Sequence, residues 1–220
     1  LKLKHFCTNP KKYYRGKSKT EITIEKVRIL GVASSMRSNS HSTRLLNYVL
    51  QKASNYNAEV RSINLSDSPL PFYRPTKDLV NNENVKSITR DVSWANAYIL
   101  ASPDYHGSVS GTLKNFLDYF WKEFAGKTFG YIVASHEGGL TVMDQMRTAV
   151  RQCYGWSMPY GISINGAKDI DQFGEFSDEK LISRVEMLAR DIVVYGSIIY
   201  GQFLKDKSSR VTSFANRYNE

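Results

Sequence analysis

Cysteine is scarce in this chain. Its 220 residues hold only Cys7 and Cys153, far apart and without a CxxC spacing. Neither a disulfide framework nor a cysteine-based zinc site is expected, and a reducing, cytoplasmic compartment fits this usage. The four histidines offer no pair at helical or hairpin spacing, so no metal site is expected either. No apolar run approaches the roughly 20 residues that span a bilayer, and no secretory leader pattern shows. No GxGxxG opens a helix, and no glycine-rich loop ends in Gly-Lys-Ser/Thr. These gaps exclude the dinucleotide fingerprint and the Walker A loop.

Acid is missing from residues 1–20. That stretch carries Lys2, Lys4, Lys11, Lys12, Arg15, Lys17 and Lys19. It accounts for seven of the nine excess positive charges, and beyond it 23 bases nearly balance 21 acids. The charge therefore marks a basic arm (1–25) on a nearly neutral domain, not a nucleic-acid surface. The arm reads as a flexible solvated tail, as a segment for an acidic partner surface, or as the remnant of an organelle transit peptide, which is also basic and acid-poor. Apolar residues make up 41% of the chain, enough for a core without staples. One domain over 26–204 is expected, with 205–220 as a loose C-terminal tail.

Short apolar runs and amphipathic stretches then alternate. Val27 to Ala33 is a β-branched run that reads as a strand buried on both faces. Leu45, Leu46, Val49, Leu50 and Ala53 share one face of a helix from about Ser42 to Asn55. Strands are predicted at Glu59–Leu65, Ala97–Ala101, Thr128–Ala134 and Tyr160–Ile164. Helices are predicted at about Glu83–Asn96, Gly111–Trp121, 139–Cys153 and Asp178–Tyr200. The proline-rich Ser68 to Pro75 is a loop. Five alternations predict an α/β fold: a five-stranded parallel sheet, order 2-1-3-4-5, with helices on both faces. Ligands of such sheets bind beyond the carboxyl ends of the strands.

Three loops leave those ends. Ser34 to Ser42 (SSMRSNSHS) joins the first strand to the first helix. A helix N-terminus presents unpaired amides and the positive end of its dipole, so it receives anions. Five serine hydroxyls and the planar fork of Arg37 add to it, which favours a monophosphate. Ser102 to Ser108 (SPDYHGS) combines a flat Tyr105, an approachable Gly107 and polar groups, suited to the edge of a planar ring. Ser135 to Gly139 (SHEGG) is the third.

ILGVASSMRSNSHS and SPDYHGSVSGTLKNFLDYF together resemble the NADPH-dependent FMN reductase family. Its members carry Gly-Ser-x-Arg-x-x-Ser in the first loop. Later they carry Pro-Glu-Tyr-Asn-Gly-Ser running into Leu-Lys-Asn-x-Leu-Asp. The resemblance covers about 26–200. It implies a flavodoxin-like three-layer sandwich that binds FMN, with NADPH as electron donor and a homodimer or homotetramer as assembly. Ser35, Arg37 and Ser40, with Ser42 nearby, would hold the phosphate. Pro103, Asp104, Tyr105, His106 and Gly107 would line the isoalloxazine, and Ser135, Glu137, Gly138 and Gly139 would close its other side. Four positions depart from the pattern: Ser34 for glycine, Ser42 for asparagine, Asp104 for glutamate and His106 for asparagine.

The activity so implied is hydride transfer from NADPH to bound FMN, then ping-pong reduction of a small acceptor: free flavin, a quinone, an azo compound or a metal oxyanion. The alternatives are a non-enzymatic flavodoxin-type electron carrier and a degenerate binding module. No catalytic residue is obligatory, because the cofactor carries the chemistry. His106 is the first candidate for a proton relay, ahead of His136; beside the ring it would otherwise alter flavin potential or substrate choice. Trp94, Trp121 and Trp156 read as core or interface, Cys153 as buried, and Lys114 with Asp118 as a surface ion pair.

Overall fold

The computed structural model of the chain describes residues 26–171, 175–210 and 212–218. The basic arm lies outside the described residues. β1 (Arg28–Ala33), β3 (Ala97–Pro103) and β4 (Thr128–Ala134) form the middle of a parallel sheet and are buried along nearly their whole length. Their apolar runs are continuous because both faces are covered. β2 (Glu59–Asn64) is the outer neighbour of β1 and is mostly exposed. The order is β2-β1-β3-β4-β5, as expected, with β5 at Trp156–Ser157.

The strand alternation sorts two cores. Ile29, Ala33, Ile99, Ala101 and Ile132 face α1 (His41–Ser54) and α6 (Glu179–Ser208). Leu30, Val32, Tyr98, Leu100, Tyr131 and Val133 face α2 (Glu83–Trp94), α3 (Gly111–Tyr119) and α4 (Leu140–Gln152). Residues two apart share a face, so each strand feeds both cores. Gly31 lets α1 settle close on β1: a Cβ there would fall 2.6 Å from Leu50 Cδ1. That contact sets where the first helix begins relative to the sheet.

Two elements differ from expectation. The fifth strand is split, giving a sixth: β5 pairs with Thr128 and Phe129, while β6 (Ile162–Ile164) pairs with Ile132 to Ala134. The register shifts by two residues between them, across Pro159, which has no amide to donate to a ladder. The C-terminal tail expected from 205 onward is partly folded among its described residues. α6 runs on to Ser208, and a 3-10 turn at Phe214–Tyr218 brings Phe214 and Tyr218 against Phe203 and Tyr154. A four-residue helix, α5 (Gly166–Asp169), follows β6. Among the described residues, no helix is long and apolar enough to cross a membrane.

Of the three tryptophans expected in core or interface, two are not in the core of the single chain. Trp121 is 64% exposed and Trp156 50%. Trp94 is partly buried, with the Arg61 guanidinium 4.0 Å over its ring. Cys153 is half-buried, and burial pushes its thiol pKa up. Lys114 and Asp118 do pair, at 2.5 Å on an exposed face.

At the start of β4, Lys127 is buried, and its ammonium donates to Val92 O and Tyr98 Oη at 3.3 and 3.4 Å. Burial lowers its pKa from the ordinary 10.5 to about 8. The unfolded chain therefore holds this proton more tightly than the fold does. Stability contributed at Lys127 rises with pH between about 8 and 10.5, at up to about 1.4 kcal/mol per pH unit. Urea unfolding of the native chain and of Lys127→Met at pH 7.5 and 9.5 checks this. The native midpoint gains on the variant's as pH rises; a constant difference between the two would refute it.

Candidate functional site

The three polar loops open at one edge of the sheet, around a cleft of about 730 Å³. Each loop is held by bonds to another. Ser34 is buried at the end of β1: its amide and hydroxyl both donate to Ala101 O on β3, at 3.0 and 2.9 Å. Ser110, which caps α3, donates to Ser34 Oγ at 2.8 Å and accepts from Leu113 N. Thr112 Oγ1 donates to Ser34 O at 2.5 Å. The hydroxyl at 34, off the family pattern, thus binds protein rather than ligand, and ties the first loop to the second.

The first loop ends in a capped helix. Ser40 has extended backbone angles, and its Oγ accepts from Thr43 N at 3.2 Å. Ser42 is buried with its Oγ 3.0 Å from Ser40 Oγ. Arg37 N donates to Ser35 Oγ at 3.3 Å, curling the loop. The Arg37 side chain is exposed and forms no ion pair among the described residues. His41 lies against Gly166, where an added Cβ would sit 2.3 Å from the imidazole.

The second loop is a two-residue hairpin. Tyr105 and Ser108 exchange both backbone hydrogen bonds at 3.1 Å, and the residues between them, His106 and Gly107, have φ of 58° and 73°. A type I′ turn demands positive φ at both central positions, which is why Asn-Gly is its usual sequence. Histidine is one of the few other residues that tolerate this region. His106 therefore answers the turn's geometry. Gln145 on α4 steadies the hairpin, accepting from Val109 N at 3.1 Å and donating to Gly107 O at 3.2 Å.

The third loop is tied to the second by Asp104. Its carboxylate accepts from Gly107 N at 2.8 Å and from Ser135 Oγ at 2.7 Å, and Ser135 Oγ accepts in turn from Glu137 N. Gly138 and Gly139 carry φ of 86° and 62°, so the loop turns sharply into α4. A Cβ on Gly139 would fall 2.5 Å from Val133 Cγ1.

Ser35, Arg37, Ser40, Ser42, Pro103, Asp104, Tyr105, His106, Gly107, Ser135, Glu137 and Gly139 all line this one cleft. Gly138 does not; it shapes the turn behind it. Asp104 and Ser135 reach the wall with their side chains engaged to each other. Leu140, Thr141, Ile164 and Gly166 were not anticipated. They come from the starts of α4 and α5 and the end of β6, where no charge signals a site. Among the described residues, no three His, Cys, Asp or Glu side chains converge as a metal centre would need.

Residues 27–169 match the family described as NADPH-dependent FMN reductase. The chain belongs to this family. It is 27% identical over 175 residues to the FMN-dependent NADPH-azoreductase of Staphylococcus aureus (strain USA300), covering 74% of this chain and 92% of that protein. Two solved structures share the fold. One is the flavoenzyme FerB, an NAD(P)H:(acceptor) oxidoreductase from Paracoccus denitrificans, with TM-score 0.66 and 20% identity over 79% of this chain and 98% of that one. The other is the NAD(P)H:quinone oxidoreductase of Methanothermobacter marburgensis, with TM-score 0.56 and 12% identity over 76% and 99%. The chain is thus an enzyme of the FMN-dependent NAD(P)H oxidoreductases rather than a carrier.

Within this FMN reductase, the turn at His106 is open to a direct test. His106→Asn keeps the positive φ and leaves the unfolding free energy unchanged or higher. His106→Val forces a β-branched residue into it and lowers stability by about 1–2 kcal/mol. Thermal or urea unfolding of both variants measures this, and equal stability of the two would refute the turn assignment.

Proposed function

We propose that the cleft holds FMN with its phosphate at the start of α1 and its ring between the second and third loops, and that it passes electrons from NADPH to a small flat acceptor. The observation that carries this is the first loop. Ser35, Ser40 and Ser42 gather at a helix N-terminus beside an arginine with no carboxylate partner among the described residues. The first amides of a helix have no acceptor of their own, so a phosphate there meets amides, hydroxyls and a guanidinium together. The donor set suits a monophosphate ester, and the width of the cleft leaves room for a ring system beyond it.

The chemistry, hydride acceptance from NADPH and delivery of electrons to the acceptor, is supplied by FMN when bound. The chain's part is placement. Pro103 to Gly107 present a hairpin edge whose backbone groups can follow the rim of a ring. Ser135, Glu137 and Gly139 bound the other side, and exposed Tyr105 and Leu140 flank the mouth. No side chain is required as an acid or base. An azo compound or a quinone is the acceptor class we favour, supported by the azoreductase relative in S. aureus. The exposed Trp121, and Met187, Tyr195 and Ile198 on α6, support a homodimer or homotetramer. The sparse cysteines support a cytoplasmic location.

Anaerobic addition of NADPH to the FMN-loaded protein bleaches the flavin absorbance, and an azo dye or quinone restores it. A spectrum that NADPH leaves unchanged would refute the reductase reading. The phosphate assignment has its own test. Arg37→Ala weakens FMN binding by about 1.5–3 kcal/mol, the worth of a charged hydrogen bond, and leaves riboflavin binding unchanged. Flavin fluorescence titration reads both. An equal loss for the two ligands would move the phosphate elsewhere.

A further inference from the structure

One stripe of α4 links the cleft to a second cavity. Leu140 and Thr141 line the cleft. Asp144, Arg147, Thr148 and Arg151 line a groove of about 450 Å³ that Gly155, Trp156 and Ser157 complete. Positions 141, 144, 148 and 151 recur at the spacing of a single helix face. At 1.5 Å of rise per residue, Arg151 lies about 15 Å along the helix from Thr141.

The groove is organised from beneath. Arg147 donates to Asp144 Oδ1 at 2.9 Å and lies 5.8 Å over the ring of Tyr131. Tyr131 is fully buried, and its hydroxyl meets Ser157 Oγ at 2.6 Å. Gly155 brings the chain close under α4: a Cβ there would fall 2.7 Å from Val150 and 2.9 Å from Phe129. Trp156 is thereby held on a two-residue strand with half its surface open. Arg151 is exposed and forms no ion pair among the described residues.

An arginine without a carboxylate, the hydroxyls of Thr148 and Ser157, and an open indole face suit a phosphate joined to an aromatic base. Guanidinium forks bind phosphate oxygens in pairs. Bases stack on aromatic side chains with little regard to identity. The distance to the cleft is one that a dinucleotide, two nucleotides joined through a pyrophosphate, can span.

We propose that this groove receives the adenosine 2′-phosphate end of NADPH, with Arg151 on the 2′-phosphate and Trp156 against adenine. Arg147, already balanced by Asp144, borders the phosphate as a second, weaker contact. These residues set the preference for NADPH over NADH, a choice that no residue of the three loops accounts for. The proposal rests on the assignment of the cleft to FMN.

The test uses the full chain loaded with FMN, so that the first phosphate site is filled. Calorimetric titration with adenosine 2′,5′-bisphosphate and with 5′-AMP compares the ligands with and without the 2′-phosphate. The bisphosphate binds about tenfold more tightly, and Arg151→Ala removes that advantage. The bisphosphate also quenches tryptophan fluorescence, and Trp156→Phe abolishes the quenching. In steady state, the NADPH:NADH ratio of kcat/KM falls about tenfold in Arg151→Ala. Equal affinity for the two ligands, an advantage that survives Arg151→Ala, or quenching that survives Trp156→Phe would overturn the proposal. A flavin that NADPH and NADH both fail to bleach would instead overturn the reductase reading. A flavin that bleaches normally, with an Arg151→Ala ratio equal to the native one, sinks the groove alone.

Discussion

The site depends on a short relay of buried hydroxyls. Ser110 donates to Ser34, and Ser34 donates to the carbonyl of Ala101. Loops on the surface of a sheet are ordinarily its most mobile parts. Here the loop after β1 and the loop after β3 are joined where neither serine is reached by solvent. Each such bond contributes only about 1 kcal/mol net, but an unmade one at this depth costs more. The relay therefore acts chiefly on geometry, making one rigid surface of two loops. Asp104 does the same on the other side by joining the hairpin to Ser135. A ligand that must be gripped at a phosphate and at a ring needs both grips at a fixed separation.

The central strands were legible because burial on both faces leaves an unbroken apolar run, as in Ala97–Pro103. At the sheet's rim the same logic weakens. The edge strand after α4 divides at Pro159, and its first half is two exposed residues with no apolar signature. α6 outran its expected end because its outer face keeps Tyr195, Ile198 and Leu204 exposed, which blurs the helical period. The C-terminal turn is held by rings from distant positions, Phe203 with Phe214 and Tyr218, which no local pattern announces.

The site was legible in a similar proportion. Polar, glycine-bearing loops directly after buried strands marked its walls. Their internal pairing was not legible, because a hydroxyl that binds a ligand and one that binds a carbonyl look alike in sequence. Ser34 was read as a departure from the family's glycine and Ser135 as a wall of the ring site, and the hydroxyls of both also bond to protein partners. The contributions of Thr141 and Gly166 depend on where α4 and α5 begin in space.

Three of the four departures from the family pattern fall into place on the same ground. A ring held by backbone groups asks of each loop residue only that it let the backbone take its course. At 106 the course is a positive φ, which histidine can adopt as asparagine does. At 104 it is a carboxylate near enough to meet the amide of Gly107, which aspartate reaches at 2.8 Å. At 34 a side chain is admitted because Ser110 and Ala101 give its hydroxyl a donor and an acceptor. On the proposed FMN assignment, main-chain recognition would be insensitive to these substitutions and would not tell one substrate from another. Discrimination must come from side chains that project beyond the ring loops. Among the described residues, the outer stripe of α4, running from Leu140 at the mouth to Arg151 at the far groove, reaches both cavities.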